Sequence, residues 1–225
     1  MNCIHTWTST AACQYSMYIC MGKDVVPAMQ DCYEKTSEPI LAYLHDDVEI
    51  HEKEWDLRVL REFTDESVGL VSFTGALGHG RPDLYRVPYH LPDLARQVFF
   101  SNMRDAEKHG VRFTGVRDAA VADGSTCFVR RSILDEWSHE LNNEAYVGGF
   151  PPPGLPVGYF MWMENLCCEV RRQGFRIRTV GVDFTHLGGK TSAMHTTENR
   201  AAQYDTEHEY FYVHNRDVMP YRVPE

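Results

Sequence analysis

Leu41-Ala42-Tyr43-Leu44-His45-Asp46-Asp47-Val48 is the stretch on which the reading of this chain turns. An apolar run long enough for one buried strand ends in two adjacent carboxylates. Open α/β sheets place ligands just outside the carboxyl ends of their strands. Two carboxylates at such an edge repel each other unless a cation or a proton sits between them. The stretch therefore predicts a buried strand over 40–45 and, at its end, a divalent-metal site.

Working outward, residues 24–36 read as a helix: Asp24 can cap it, Pro27 falls in the first turn, and Val25, Met29 and Cys32 lie near one face. Ser37-Glu38-Pro39 breaks the chain before the strand. A helix feeding a buried strand through a short turn is half of a βαβ unit. Upstream, Cys3 to Thr8 has the composition of a strand. Downstream, Glu49 to Phe63 reads as an amphipathic helix, and Val68 to Phe73 as the next apolar strand. Gly75 to Gly80 reads as a flexible loop without the spacing or the following Lys of a phosphate-binding P-loop. Residues 81–118, with Pro82, Pro88 and Pro92, form an irregular excursion.

Residues 119–130 form another strand region, interrupted by Asp123-Gly124. That pair makes either a tight hairpin turn or a carboxylate at a strand end facing a ligand. A short helix is expected over Arg131 to Trp137, and a loop over Gly148 to Gly158. Residues 160–173 predict a helix with Gly174 at its C′ position and Arg171 and Arg172 in its last turn. Phe175 to Val182 alternates as a strand and leads to Asp183-Phe184-Thr185-His186-Leu187. The tail from residue 192 is polar and aromatic, and is expected to pack on the domain of residues 1–191 or on a partner.

Bulk properties narrow the class. The chain has 225 residues, 43% of them hydrophobic and 24% charged, as in an ordinary globular domain. Its net charge of -10 argues against a general nucleic-acid binder. The local basic cluster of Arg171, Arg172, Arg176 and Arg178 is the exception to weigh. The 7 cysteines include no CxxC pair, so reduced buried thiols in a cytoplasmic protein are expected. No apolar run approaches the roughly 18–20 residues needed to span a bilayer, so no transmembrane segment is expected.

The residues that could carry chemistry are the Asp pair and His186. Mg²⁺ and Mn²⁺ take oxygen ligands, and Mn²⁺ also accepts imidazole. A metal held by few protein groups leaves positions for substrate phosphates. The plainer alternatives are that Asp46 merely caps the next helix and that His186 is structural. Asp46, Asp47, His51 and His186 together would also suit a metal hydrolase.

Leu44-His45-Asp46-Asp47-Val48 resembles the DXD-type segment of family 2 glycosyltransferases with the GT-A fold. Residues 21–36 are similar to the helix before that motif. Val121 to Arg131 resembles the segment in which such enzymes place a strand with Asp-Gly and then a basic pair. Glu164 to Ile177 resembles their acidic helix running on to Gly, an aromatic and Arg, and Phe184 to Thr191 resembles a late His-containing loop. The likeness covers roughly residues 22–191.

The resemblance implies an α/β domain of GT-A type with a mixed, mainly parallel sheet. It implies transfer of a sugar, with inversion, from a nucleotide-diphosphate sugar to a hydroxyl of a saccharide, lipid-linked or protein acceptor, with Mn²⁺ or Mg²⁺ as cofactor. Asp47 and His186 would ligate the metal. Asp46, Asp123 and Gly124 would contact substrate, and Trp162 would stack on a sugar unless it is a core residue. Glu164 would deprotonate the acceptor, although the family's base position falls closer to Met163. The resemblance also implies that the first strand and helix of the fold are missing, since only about 22 residues precede the matching helix. That would expose a sheet edge. Completion by another chain, including a homo-oligomer, and a non-enzymatic sugar- or nucleotide-binding remnant of the fold are then both open.

Overall fold

The computed structural model describes residues 3–14, 17, 25–79, 99–104, 110–141, 144–147, 161–187, 206–207, 209–211, 213–219 and 221–223. The helices in chain order are α1 (Cys3–Thr10), α2 (Val25–Lys35), α3 (Trp55–Glu62), α4 (Arg131–Asp135) and α5 (Trp162–Arg172). The strands are β1 (Ile40–Leu44), β2 (Val48–Ile50), β3 (Val68–Ser72), β4 (Thr74–Ala76), β5 (Gly78–His79), β6 (Phe99–Ser101), β7 (Val111–Arg112) and β8 (Val116–Ala119). They continue with β9 (Val121–Ala122), β10 (Thr126–Arg130), β11 (Ser138–Leu141), β12 (Glu144–Val147), β13 (Arg176–Val180), β14 (Phe184–His186) and β15 (Tyr221–Arg222).

The central sheet has the order β1-β10-β3-β13-β8. Its strands alternate their side chains between two cores, as the pleat requires. Leu70, Cys127, Val129 and Ile177 face one side, with Met29 of α2, Ile133 of α4 and Leu166 of α5. Val71, Phe128 and Val180 face the other, with Trp7 of α1 and Trp55 and Val59 of α3. The result is a mixed α/β arrangement with helices on both faces. Every residue of β3 is buried, as expected of a strand covered on both sides. A smaller sheet of order β7-β6-β4-β9 lies beside it, reached from β3 through Phe73.

Several expectations change. Among the pairings of the central sheet, only β3–β13 is parallel; β1–β10, β10–β3 and β13–β8 are antiparallel. The sheet is mixed, but not mainly parallel, because β10 runs back between β1 and β3. For the same reason β1 is an outer strand of the described sheet and not the buried strand expected: Leu41 is buried, Ala42 is exposed and the other three residues are half-buried. The Cys3 to Thr8 segment is a helix: Trp7 packs beneath β2 and donates from Nε1 to the Val48 carbonyl at 2.6 Å, and tertiary packing overrides β-rich composition. The Glu49 to Phe63 segment is a helix only from Trp55. Val48 and Ile50 are buried on either side of outward Glu49, a period of two that suits strand β2 and its pairing with β14.

The Gly75 to Gly80 segment is not a loop over its described part, residues 75–79, which supplies β4 and β5. At Gly75 a Cβ would lie 2.8 Å from the Ala119 Cβ, so the glycine marks close strand approach. Asp123-Gly124 closes no hairpin, since β9 pairs with β4 while β10 pairs with β1 and β3. The pair is the corner where the chain passes from the small sheet to the central one. Gly174 does adopt the positive φ, +83°, expected of a helix C′ residue. The loop of residues 148–158 and Pro82, Pro88 and Pro92 lie outside the described residues.

The basic residues are structural. Arg131 donates to the carbonyls of Tyr33, Thr36 and Glu38, and Arg130 to those of Phe63, Asp65 and Val68. Arg172 pairs with Glu169 and Asp217, Arg176 with Asp65, and Arg178 with Glu62, Asp65 and Asp118. These partners remove them from any open phosphate-binding patch. Among the described cysteines, Cys13, Cys32, Cys127, Cys167 and Cys168 are free thiols.

Candidate metal centre

Two backbone connections build the site. After β1, the His45 amide donates to the Ser125 carbonyl at 3.0 Å, which ties the end of the strand to the Asp123-Gly124 corner. The Val48 amide donates back to the His45 carbonyl at 3.2 Å, closing a turn that contains Asp46 and Asp47. Strand β2 then pairs antiparallel with β14, His186 opposite Val48, and the Leu187 amide donates to the Asp47 carbonyl at 2.9 Å. Strand β14 is itself anchored in the core. The Phe184 ring is fully buried and lies 5.4 Å from that of Phe73. Burying such a ring is worth about 1.5–3 kcal/mol. His186 follows two residues on, on the same side of the strand.

The outcome is a close group of His45, Asp47 and His186, whose potential ligand atoms lie within 4.8 Å of one another. Asp47 Oδ1 and His186 Nε2 are 3.2 Å apart. The rings of His45 and His186 meet edge to face, with centroids 5.7 Å apart. The hydrogen bond from His186 holds the Asp47 carboxyl below the usual carboxylate range. Burial lowers the His45 imidazole below its ordinary value, so its neutral, coordinating form prevails near neutral pH. His45 Nε2 is buried and has no hydrogen-bond partner among the described residues. An imidazole with an orphaned nitrogen, clustered with a carboxylate and a second imidazole, is a donor set that could hold a divalent ion.

The other expected residues fall around this group. Asp46 is exposed in the turn and stands outside the cluster. Asp123 Oδ1 accepts the Ser125 amide at 2.9 Å, and its charge acts on both His45 and Glu164. Gly124 packs against the Trp162 indole, where a Cβ would lie 2.8 Å from Cζ2. Trp162 is 4% exposed and belongs to the core. The structure thus places it as a packing residue beneath the corner and not on a surface open to a sugar. Glu164 lies in the first turn of α5, partly buried, and burial pushes its carboxyl up to about 8, with Asp123 and Glu207 adding to the effect. His51 bonds to Thr185 Oγ1 at 2.9 Å and stands outside the cluster.

No family model and no curated protein matches this chain.

Two residues at the site were not singled out from sequence. His45 adjoins the Asp pair, and its position at the end of a strand was the available signal. Glu207 comes from the tail: its Oε2 accepts the Met161 amide at 3.1 Å at the start of α5. Nothing local in the sequence places the tail there.

Proposed function

We propose that this chain is a metal-dependent glycosyltransferase with a GT-A-type domain that takes a nucleotide-diphosphate sugar as donor and a hydroxyl as acceptor. The observation that carries the reading is the approach of Asp47 Oδ1 to His186 Nε2 at 3.2 Å, the two residues the resemblance names as ligands. A Mn²⁺ or Mg²⁺ ion there would neutralise the diphosphate and stabilise it as a leaving group. Asp46, exposed in the same turn, is free to meet the sugar or ribose, and Asp123 is close enough to Glu164 for its charge to act on it. Glu164 is the candidate base. A carboxylate with its proton affinity raised to about 8 is a stronger base once ionised than an ordinary glutamate.

The test is calorimetry of Mn²⁺ with a panel of nucleoside diphosphates, on the wild type and on Asp47→Ala. Binding that needs both the metal and Asp47 is expected. Absence of any such nucleotide overturns the transferase reading.

The donor set favours one second reading. Two imidazoles and a carboxylate with open coordination positions also occur at hydrolytic metal sites. Release of sugar or phosphate with no dependence on acceptor would select that reading.

A further inference from the structure

We infer that His45 is a third direct metal ligand, so that His45, Asp47 and His186 form a two-imidazole, one-carboxylate centre selective for a borderline cation such as Co²⁺ or Zn²⁺ over Mg²⁺. This rests on the metal site of the reading above, but not on sugar transfer.

The geometry points this way first. Ligand atoms sit about 2.0–2.2 Å from a first-row divalent ion, so two on opposite sides of one ion are at most about 4.4 Å apart. The ligand atoms of the three residues already lie within 4.8 Å of one another without an ion, so closing on one requires a contraction of a few tenths of an ångström for a pair on opposite sides and of at most about 1.4 Å for a tetrahedral pair, whose atoms sit about 3.4 Å apart. Asp47 and His186, at 3.2 Å, are near the separation of adjacent ligands.

The second observation is the state of His45. Its Nε2 is shielded from solvent and unpartnered among the described residues, an arrangement that costs free energy unless something else occupies the lone pair or the proton. Its backbone is fixed on both sides, by Ser125 and by Val48, which sets the point from which the ring reaches the cluster. A metal ion bound through Nε2 would supply the missing partner.

The chemistry then sets the preference. Mg²⁺ takes oxygen ligands and sheds its water reluctantly. Each imidazole added at the expense of oxygen favours the later first-row ions, in the order Mn²⁺ below Co²⁺. Three protein ligands leave open positions, enough for oxygens of a phosphate or for water.

The experiment is calorimetric titration of the full chain with Co²⁺, Zn²⁺, Mn²⁺ and Mg²⁺, on the wild type and on His45→Ala. Wild type should bind Co²⁺ and Zn²⁺ more tightly than Mg²⁺. His45→Ala should lose Co²⁺ affinity by more than the roughly 10–100-fold that follows loss of an outer hydrogen-bond partner. Equal affinity of the wild type for Co²⁺ and Mg²⁺ overturns the inference, as does Co²⁺ affinity in His45→Ala within about a hundredfold of wild type. Should the variant fail to fold, pulsed electron paramagnetic resonance of Mn²⁺ on the wild type counts the coordinated imidazoles directly. Two nitrogens support the inference, and one or none refutes it. The two readings fail separately. Asp47-dependent nucleotide binding with Co²⁺ affinity indifferent to His45 removes only the third ligand. Two coordinated imidazoles with no nucleotide binding remove only the transferase.

Discussion

Asp47 Oδ1 and His186 Nε2 lie 3.2 Å apart because β2 and β14 pair antiparallel with His186 opposite Val48. The contact is set by backbone register, and both side chains remain about a quarter exposed. A partly exposed pair of this kind contributes at most about 1 kcal/mol. Asp47→Ala should therefore leave apo stability nearly unchanged. A cation that binds only the folded chain adds about 2.7 kcal/mol at a hundred times its dissociation constant. Thermal unfolding with and without Co²⁺ should show that increment in wild type and not in Asp47→Ala. An equal metal-induced shift in both proteins would place the ion elsewhere.

Glu164 gives a pH signature. Its carboxyl is raised from 4.5 to about 8 in the folded chain, chiefly by burial. Below about 4.5 both folded and unfolded states hold the proton, and the group's contribution to stability is fully present. As pH rises the unfolded state releases its proton first, so the contribution declines and is gone above about 8. Chemical denaturation from pH 4 to 9 should show this fall in wild type and a flatter profile in Glu164→Gln. Activity separates the two functional readings. A base must be ionised, so transfer should rise through about pH 8, whereas a general acid in hydrolysis would give a fall over the same interval.

Gly124 tests the corner that places Asp123. A Cβ there would come within 2.8 Å of the Trp162 ring, which is buried and cannot swing away as a flexible chain end would. Gly124→Ala should cost about 1–3 kcal/mol, as overpacking does. It should also weaken the tie between Ser125 and His45, and with it metal affinity. Gly174→Ala is the contrast. Among the described residues, no atom beyond its chain neighbours lies within 4 Å of its Cβ position, and its penalty comes from the positive φ. Denaturation midpoints of the two variants, each with and without Co²⁺, check the point: only Gly124→Ala should change the metal-induced shift.

How far the sequence disclosed these features depends on whether the cause was local. The strand ending at Leu44, the helix ending before Gly174 and buried β3 were legible, because an apolar run or a helix stop is written in adjacent residues. The direction of β10 was not, since antiparallel pairing with both β1 and β3 depends on partners far along the chain. The helix at Trp7 was misread for a related reason: its hydrogen bond to Val48 outweighs local preference. At the site, Asp47 and His186 stood out by type. His45 stood in the same stretch, but its buried, unpartnered nitrogen is a property of the folded chain. The basic residues looked available because carbonyl and carboxylate partners cannot be seen in a linear sequence.

The tail supplies the last test, since it reaches the helix that carries Glu164. Phe211 is fully buried against Met161 and Cys168. Asn215 Nδ2 donates to Asn165 Oδ1 at 2.8 Å, and Arg172 bonds to Asp217 at 2.9 Å. The Asp217 side chain is 54% exposed, so its ion pair should contribute no more than about 1 kcal/mol. Removing a buried phenylalanine costs about 3–5 kcal/mol. Phe211→Ala should therefore release the tail, and Asp217→Ala should not. Limited proteolysis should cut the tail of Phe211→Ala first, while Asp217→Ala resists like wild type. Release would also withdraw the Glu207 carboxylate from the start of α5 and admit water to Glu164. The midpoint near pH 8 should then fall toward the ordinary glutamate range in Phe211→Ala. An unchanged midpoint in a protein whose tail is demonstrably cleaved would mean that Glu164 owes its raised proton affinity to α5 and the Asp123 corner alone.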